Sequence, residues 1–72
     1  MMFMPLLMAD PGKANVIRRI GGMEKTKQFL KSLGFVVGGD VTVISQIDGN
    51  LIVKVKESRV AINKDLAGKI FI

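Results

Sequence analysis

Residues 41–62 read VTVISQIDGNLIVKVKESRVAI, and this stretch decides the fold. Apolar and polar side chains alternate along most of it, which is typical of β-strands that bury one face. The alternation is interrupted at Asp48-Gly49-Asn50 and again at Glu57-Ser58, where the residue types favour tight turns. The pattern therefore predicts three consecutive antiparallel strands joined by two hairpins.

The first of these strands changes phase near its middle. Val41 and Val43 share one face, but the run Ile44-Ser45-Gln46-Ile47 does not continue that alternation. Because one extra residue moves every later side chain to the other face, the slip predicts a β-bulge or a strong bend. The second strand is regular, and the positions expected to face the core are Leu51, Val53 and Val55.

Upstream of the strands, the spacing of apolar residues changes to that of a helix. Over residues 23–33 they fall on one helical face, and that set is Met23, Phe29, Leu30 and Leu33. Gly34 suits the left-handed position that follows a helix, and such an ending brings Phe35 into contact with Leu30. The sequence predicts an α-helix over about residues 23–33.

The two ends of the chain complete the predicted architecture. Lys13 to Ile20 is expected to form a first strand, which Gly21-Gly22 ends. Residues 63–67 predict a short helical turn capped by Asn63, and Lys69 to Ile72 a closing strand. We expect one domain over residues 1–72 that is mainly β, namely a small barrel of about five strands with one inserted helix.

The apolar start, MMFMPLLMAD, does not have the features of a targeting segment. It contains no Lys or Arg, Pro5 interrupts it, and it is far shorter than the ~20 apolar residues that span a membrane. We expect it to pack on the barrel of a cytoplasmic protein.

Composition narrows the possible functions. The 72 residues include no Cys and no His, which leaves no thiolate nucleophile and no imidazole base or ligand. The six carboxylates are scattered along the chain rather than clustered. We therefore expect no enzymatic activity, no catalytic residues, no cofactor, no metal site and no small-molecule substrate. The net charge of +5 favours an acidic partner.

Residues 30–43, LKSLGFVVGGDVTV, resemble the FeoA family, ferrous iron transport protein A. That family carries an L-x-x-L-G-[hydrophobic]-x-x-G signature where its helix leads into a strand. LMADPG at residues 7–12 is similar to the family's opening strand and Pro-Gly turn, and RVAINKDLA at residues 59–67 is similar to its closing segment. The chain departs from the family at Val37, where Pro is common, and in its short Asp48-Gly49-Asn50 loop.

This resemblance implies an SH3-like barrel and a non-catalytic, cytoplasmic role as an accessory or regulatory protein of ferrous iron uptake. The implied partner is a FeoB-type permease, a membrane protein with a cytoplasmic GTP-binding domain. The membrane would then be reached only through that partner. Similar barrels are regulatory modules of iron-dependent repressors. Because the chain begins at Met1 and shows no DNA-binding helices, a free-standing accessory protein is expected instead.

The predicted helix carries the candidate partner-binding site. Lys25, Lys27 and Lys31 are expected on its outer side, and the residues proposed to contact an acidic partner are Lys27, Phe29, Lys31, Phe35 and Val36. The alternative is that the lysines are only solvated and the apolar residues belong to the core. Lys54, Lys56 and Arg59 form a second basic row, a pattern that also protects sheet edges from unwanted pairing.

Nucleic-acid binding is the main alternative function, because the sequence isoelectric point is about 10.0. It is disfavoured because Trp and Tyr are absent and the four Phe residues are expected to be mostly buried, which leaves no stacking platform. The oligomeric state and the sign of any effect on the permease stay open.

Overall fold

The computed structural model describes residues 3–72, which form six strands, two α-helices and one 3₁₀ turn. In chain order these are the 3₁₀ turn (Leu6–Met8), β1 (Ala14–Val16), β2 (Arg19–Ile20), α1 (Glu24–Ser32), β3 (Asp40–Ile47), β4 (Asn50–Val55), β5 (Ser58–Asn63), α2 (Lys64–Ala67) and β6 (Ile70–Phe71). The mainly β architecture with an inserted helix and a short second helix confirms the prediction.

Four strands form an antiparallel sheet in the order β1-β3-β4-β5. The first hairpin turns at Asp48-Gly49, where both φ angles are positive (48° and 82°), as in a type I′ turn. The second turns at Lys56-Glu57, one residue before the predicted position, and Lys56 takes a φ of 54°. Both predicted hairpins are therefore present.

The predicted β-bulge lies in β3. Val43 pairs with Val53 of β4, whereas the next paired residue of β3, Ser45, faces Ile52, so that Ile44 is the extra residue. After this shift the strand continues in the new phase to Ile47. The phase slip in the sequence thus marked a real irregularity in the ladder.

The continuous first strand predicted over residues 13–20 is wrong, because the chain changes sheets within it. β1 pairs with β3, but β2 pairs with β6 in a separate two-stranded sheet. Between the two strands, the Ile17 N–H donates to the Gly39 carbonyl (2.8 Å) and the Arg18 N–H donates to the Phe71 carbonyl (2.7 Å). Because the predicted first strand is divided in two at this corner, the fold has six strands rather than about five.

The N-terminal segment packs on the barrel, but its predicted opening strand is wrong. Residues 6–8 form a 3₁₀ turn, and the segment before it pairs with β6 through an antiparallel bridge between Pro5 and Phe71. Met4 and Ile72 exchange two backbone hydrogen bonds of 2.9 and 2.8 Å, and Leu6 is fully buried. The prediction of packing is confirmed for Leu6, Leu7 and Ala9, whereas Phe3, Met4 and Met8 are exposed, and residues 1 and 2 lie outside the described residues.

Helix α1 ends as predicted. The Phe35 N–H donates to the Leu30 carbonyl and the Gly34 N–H donates to the Lys31 carbonyl, each at 3.0 Å, which is the Schellman pattern. Leu30 and Phe35 are both fully buried. The buried face is narrower than predicted, because the side chains of Met23 and Phe29 are 78% and 51% exposed.

The core lies between the sheets and the helices. Its buried side chains are Leu6, Ile17, Leu30, Phe35, Val41, Val43, Leu51, Val53, Val55, Ile62, Ala67 and Ile70. The three inward positions predicted for β4 are among them. In α2 the Leu66 N–H donates to Asn63 Oδ1 (2.9 Å), which confirms the predicted cap.

Across residues 3–72, no helix combines the length and the apolar composition that crossing a membrane would require.

Candidate partner-binding site

A groove of about 300 Å³ runs along one flank of α1. Its walls are mainly apolar, and the residues that line it are Ile20, Lys27, Lys31, Phe35, Val36 and Val37. Lys27 and Lys31 are four residues apart, so that they lie one above the other on the same side of the helix. The Schellman ending of α1 turns the chain back, which brings residues 35–37 along that side. We call this feature the helix groove.

The loop that forms one wall of the groove is held by the barrel corner. The Gly38 N–H donates to the Ile17 carbonyl at 2.8 Å, and the Ile17 N–H in turn donates to the Gly39 carbonyl. Gly38 has a φ of 90°, which a residue with a Cβ rarely adopts. With its backbone fixed in this way, the loop presents Val37 to solvent with 65% of its side chain exposed.

Four of the five predicted partner-binding residues line the helix groove: Lys27, Lys31, Phe35 and Val36. Phe29 does not, and neither does Lys25, because two residues along an α-helix correspond to a rotation of about 200°. Phe29 is therefore on the other flank of α1, apart from Lys27 and Lys31, and its part in partner binding stays a prediction. Phe35 is fully buried, so that it belongs to the floor of the groove.

Two groove residues were missed from the sequence. Ile20 was assigned only to a strand, and its place beside the helix depends on the pairing of β2 with β6, which no local pattern reveals. Val37 was noted only as the residue that replaces Pro. The available signal was the pair Val36-Val37 in the short connection between Gly34 and Gly38, since connecting loops run over the protein surface.

The second basic row lies on the outer face of the main sheet. Lys54 of β4 is directly opposite Arg59 of β5, and Lys56 follows in the hairpin turn. Lys54 and Lys56 also line a recess of about 420 Å³, whose other lining residues are Ala14, Gly34, Gly39, Asp40 and Thr42. We call Lys54, Lys56 and Arg59 the cation row.

The described part of the chain contains no group of three or more carboxylates placed to hold a metal ion. The aromatic residues differ from the prediction that they are mostly buried. Phe3 and Phe29 are 45% and 51% exposed, while Phe71 is half-buried with the Arg19 guanidinium 5.9 Å from the centre of its ring.

Comparison with known proteins shows what this sequence and this fold are similar to. The family model described as "FeoA domain" matches residues 4–72. The "Putative Fe(2+) transport protein A" of Methanocaldococcus jannaschii is 32% identical over 68 residues, which cover 94% of this chain and 83% of that protein. The crystal structure of an "Iron Uptake Regulatory Protein (FeoA)" superposes with a TM-score of 0.88 at 31% identity, covering 97% of this chain and 95% of the other.

A "Manganese-dependent transcriptional repressor" also superposes with a TM-score of 0.88, at 16% identity, and the match covers 97% of this chain but 40% of the repressor. This likeness concerns the fold, an SH3-like barrel that occurs both as a small protein and as part of larger ones. The family match extends over nearly the whole chain and includes the helix, its Schellman ending and both hairpins. This protein therefore belongs to the FeoA family.

Proposed function

We propose that this protein is a cytoplasmic accessory protein of ferrous iron uptake that binds the cytoplasmic GTP-binding part of a FeoB-type permease. Its membership of the FeoA family supports the link to iron uptake, and the relatives named above carry iron transport and iron uptake in their names. The proposed role is non-catalytic, since the chain has neither His nor Cys to supply a base or a thiolate.

The helix groove is the observation that carries the proposal. Its floor, formed in part by Phe35 and Val36, can accept an apolar side chain, and burying a Leu or a Phe there would contribute about 1.5–3 kcal/mol. Lys27 and Lys31 stand beside that floor and would face carboxylates on the partner. We therefore expect the partner to offer an apolar anchor flanked by Asp or Glu, with the lysines mainly raising the association rate.

Affinity for the purified cytoplasmic domain of the cognate permease tests this proposal. Biolayer interferometry should be run without nucleotide, with GDP and with a GTP analogue. The variant Lys27→Glu/Lys31→Glu should bind roughly tenfold or more weakly than the wild type, because both charges facing the partner are reversed. The matched control is Lys13→Glu/Lys64→Glu, which makes the same charge change at residues that do not line the groove.

Two results would contradict the proposal in different ways. Equal affinity of both variants would remove the helix groove from the contact while leaving the partner in place. The absence of wild-type binding in all three nucleotide states would remove the permease domain as the partner.

The second candidate function is nucleic-acid binding, which the net charge of +5 and the two exposed rings, Phe3 and Phe29, favour. Stacking on aromatic rings and contacts from cations are the usual means of holding single strands. Titration of a labelled oligonucleotide at about 50 and 200 mM salt distinguishes the two functions, because phosphate binding weakens steeply as salt rises. If the affinity for the oligonucleotide exceeded that for the permease domain, nucleic-acid binding would become the favoured function.

A further inference from the structure

Strand β5 is an edge of the main sheet and pairs with β4 alone. Within the part of the chain that the structure describes, the backbone of residues 58–62 makes no hydrogen bond outside that pairing. Arg59 and Ala61 are both exposed, and no other strand of the described chain pairs with this edge. A row of free N–H and C=O groups at an edge is a template for a further strand.

The geometry of the β4–β5 hairpin shows which backbone N–H and C=O groups of β5 are not bonded to β4. Val55 and Ser58 flank the two-residue turn, so that they form a hydrogen-bonded pair, and pairing alternates along an antiparallel ladder. Lys54 and Arg59 are consequently a non-hydrogen-bonded pair, and so are Ile52 and Ala61. The N–H and C=O groups of Arg59 and Ala61 therefore point away from β4.

The other hairpin gives the same phase independently. Ile47 and Asn50 flank the Asp48-Gly49 turn, so that the backbone of Asn50 bonds to β3 and faces away from β5. Asn50 is paired with Asn63, two residues beyond Ala61, which extends the same alternation along β5. We call the outward-facing backbone of Arg59 and Ala61 the free edge.

The side chains beside the free edge differ between the two faces of the sheet. On the outer face stands the cation row, in which Lys54 and Arg59 directly oppose each other, an arrangement of like charges that costs stability. The side-chain hydrogen bonds of the described residues come from or go to Asn15, Ser32, Asn63 and Lys69, and none involves the cation row. On the inner face, Val60 is half-buried at the margin of the core.

We propose that the free edge binds an extended segment of an acidic protein, which adds to the sheet as a further strand. Its backbone pairs with Arg59 and Ala61. Its side chains alternate, with carboxylates on the outer face beside the cation row and apolar groups on the inner face beside Val60. This surface is separate from the helix groove, because no residue of β5 lines that groove, and the inference does not depend on the partner proposed above.

Charge decides in favour of this occupant over a second copy of the chain. Each copy carries a net charge of +5, and pairing two copies through β5 would bring two cation rows onto one sheet face. Edge cations act against such self-pairing. An acidic strand, in contrast, would relieve the repulsion between Lys54 and Arg59, since each cation would gain an opposite charge within reach.

The test uses a labelled synthetic peptide of alternating Val and Glu, with a Val and Lys peptide of the same length as its control. Fluorescence anisotropy measures binding, and amide hydrogen exchange reports on Arg59 and Ala61. The variant Ala61→Pro removes one outward N–H, and an edge strand tolerates Pro where its N–H faces solvent. Its matched control is Ala61→Ser, which keeps the backbone donor.

We expect the Glu peptide to bind the wild type and Ala61→Ser, to bind Ala61→Pro at least tenfold more weakly, and to protect the amides of Arg59 and Ala61. A Glu peptide that is N-methylated at its Glu residues, whose N–H groups would face Arg59 and Ala61, should also fail to bind the wild type, a result that does not depend on any variant folding. Equal binding of the Val-Lys or the N-methylated peptide would overturn the proposal. So would a dimer in sedimentation velocity that Ala61→Pro abolishes, because the edge would then take a second copy.

Discussion

Gly34 is the single residue at which the chain turns from helix α1 toward the core and the helix groove. Its φ of 109° lets the Phe35 N–H reach back to the Leu30 carbonyl, and this turn places Phe35 in the core and Val36 at the helix groove. A Cβ at position 34 would lie 3.5 Å from Val55 Cγ2, which is ordinary contact distance. Conformation rather than space therefore requires glycine here.

We expect Gly34→Ala to lower the free energy of unfolding by about 1–2 kcal/mol, the usual cost of a left-handed backbone for a residue with a Cβ. The melting temperature should fall by roughly 4–8 °C for each kcal/mol in a domain of this size. Differential scanning calorimetry measures both quantities.

Gly21→Ala is the matched control, since a Cβ there would also meet its nearest atom at 3.5 Å, but the φ of Gly21 is not positive. We expect a change within about 0.5 kcal/mol for this variant. A loss for Gly34→Ala no greater than that of Gly21→Ala would contradict the conformational argument.

Among the helices, strands and turns, the sequence predicted those features that depend on local chemistry. The Schellman ending after Leu30, the Asp48-Gly49 hairpin and the Asn63 cap each require only a few neighbouring residues. The break between β1 and β2 and the groove position of Ile20 were missed, because both depend on β6, which is distant in the sequence. Phe29 was predicted on the buried face of α1 but is 51% exposed, because the apolar spacing alone did not fix which flank of the helix meets the barrel.

The cap of the short helix α2 can be tested by substitution. The Leu66 N–H donates to Asn63 Oδ1 at 2.9 Å, and this bond caps a helix of only four residues. We expect Asn63→Ala to lower the free energy of unfolding by about 1 kcal/mol, because the Leu66 N–H loses its acceptor. Urea denaturation followed by circular dichroism measures the difference.

Asn63→Asp serves as the control, because Asp is about as effective a cap as Asn. Its stability should stay within about 0.5 kcal/mol of the wild type. If Asn63→Asp destabilised the protein as much as Asn63→Ala, the loss would come from another contact of Asn63 rather than from the cap.

For the molecule as a whole, the excess of positive charge should act before any contact forms. The chain carries 11 Lys and Arg against 6 Asp and Glu, and the helix groove and the cation row each hold lysines. A field of this kind attracts acidic surfaces from a distance and weakens as salt screens it. Both proposed surfaces would therefore favour fast association with acidic partners.

We expect the association rate with the permease domain to fall as salt rises from about 50 to 500 mM, with a smaller change in the dissociation rate. In Lys27→Glu/Lys31→Glu the rate should be lower at low salt and should depend less on salt. Stopped-flow fluorescence resolves the two rates. A wild-type association rate that is independent of salt would exclude electrostatic attraction as the means of encounter.

The two backbone hydrogen bonds between Met4 and Ile72 hold the described ends of the chain side by side. A short Gly/Ser linker could join these ends covalently. The chain could then be opened at the Asp48-Gly49 turn between β3 and β4. Such a circular permutant would reorder the strands along the sequence and leave the helix groove and the free edge in place. Binding by this permutant at the wild-type affinity would show that recognition follows from where residues lie in space and not from their order along the chain.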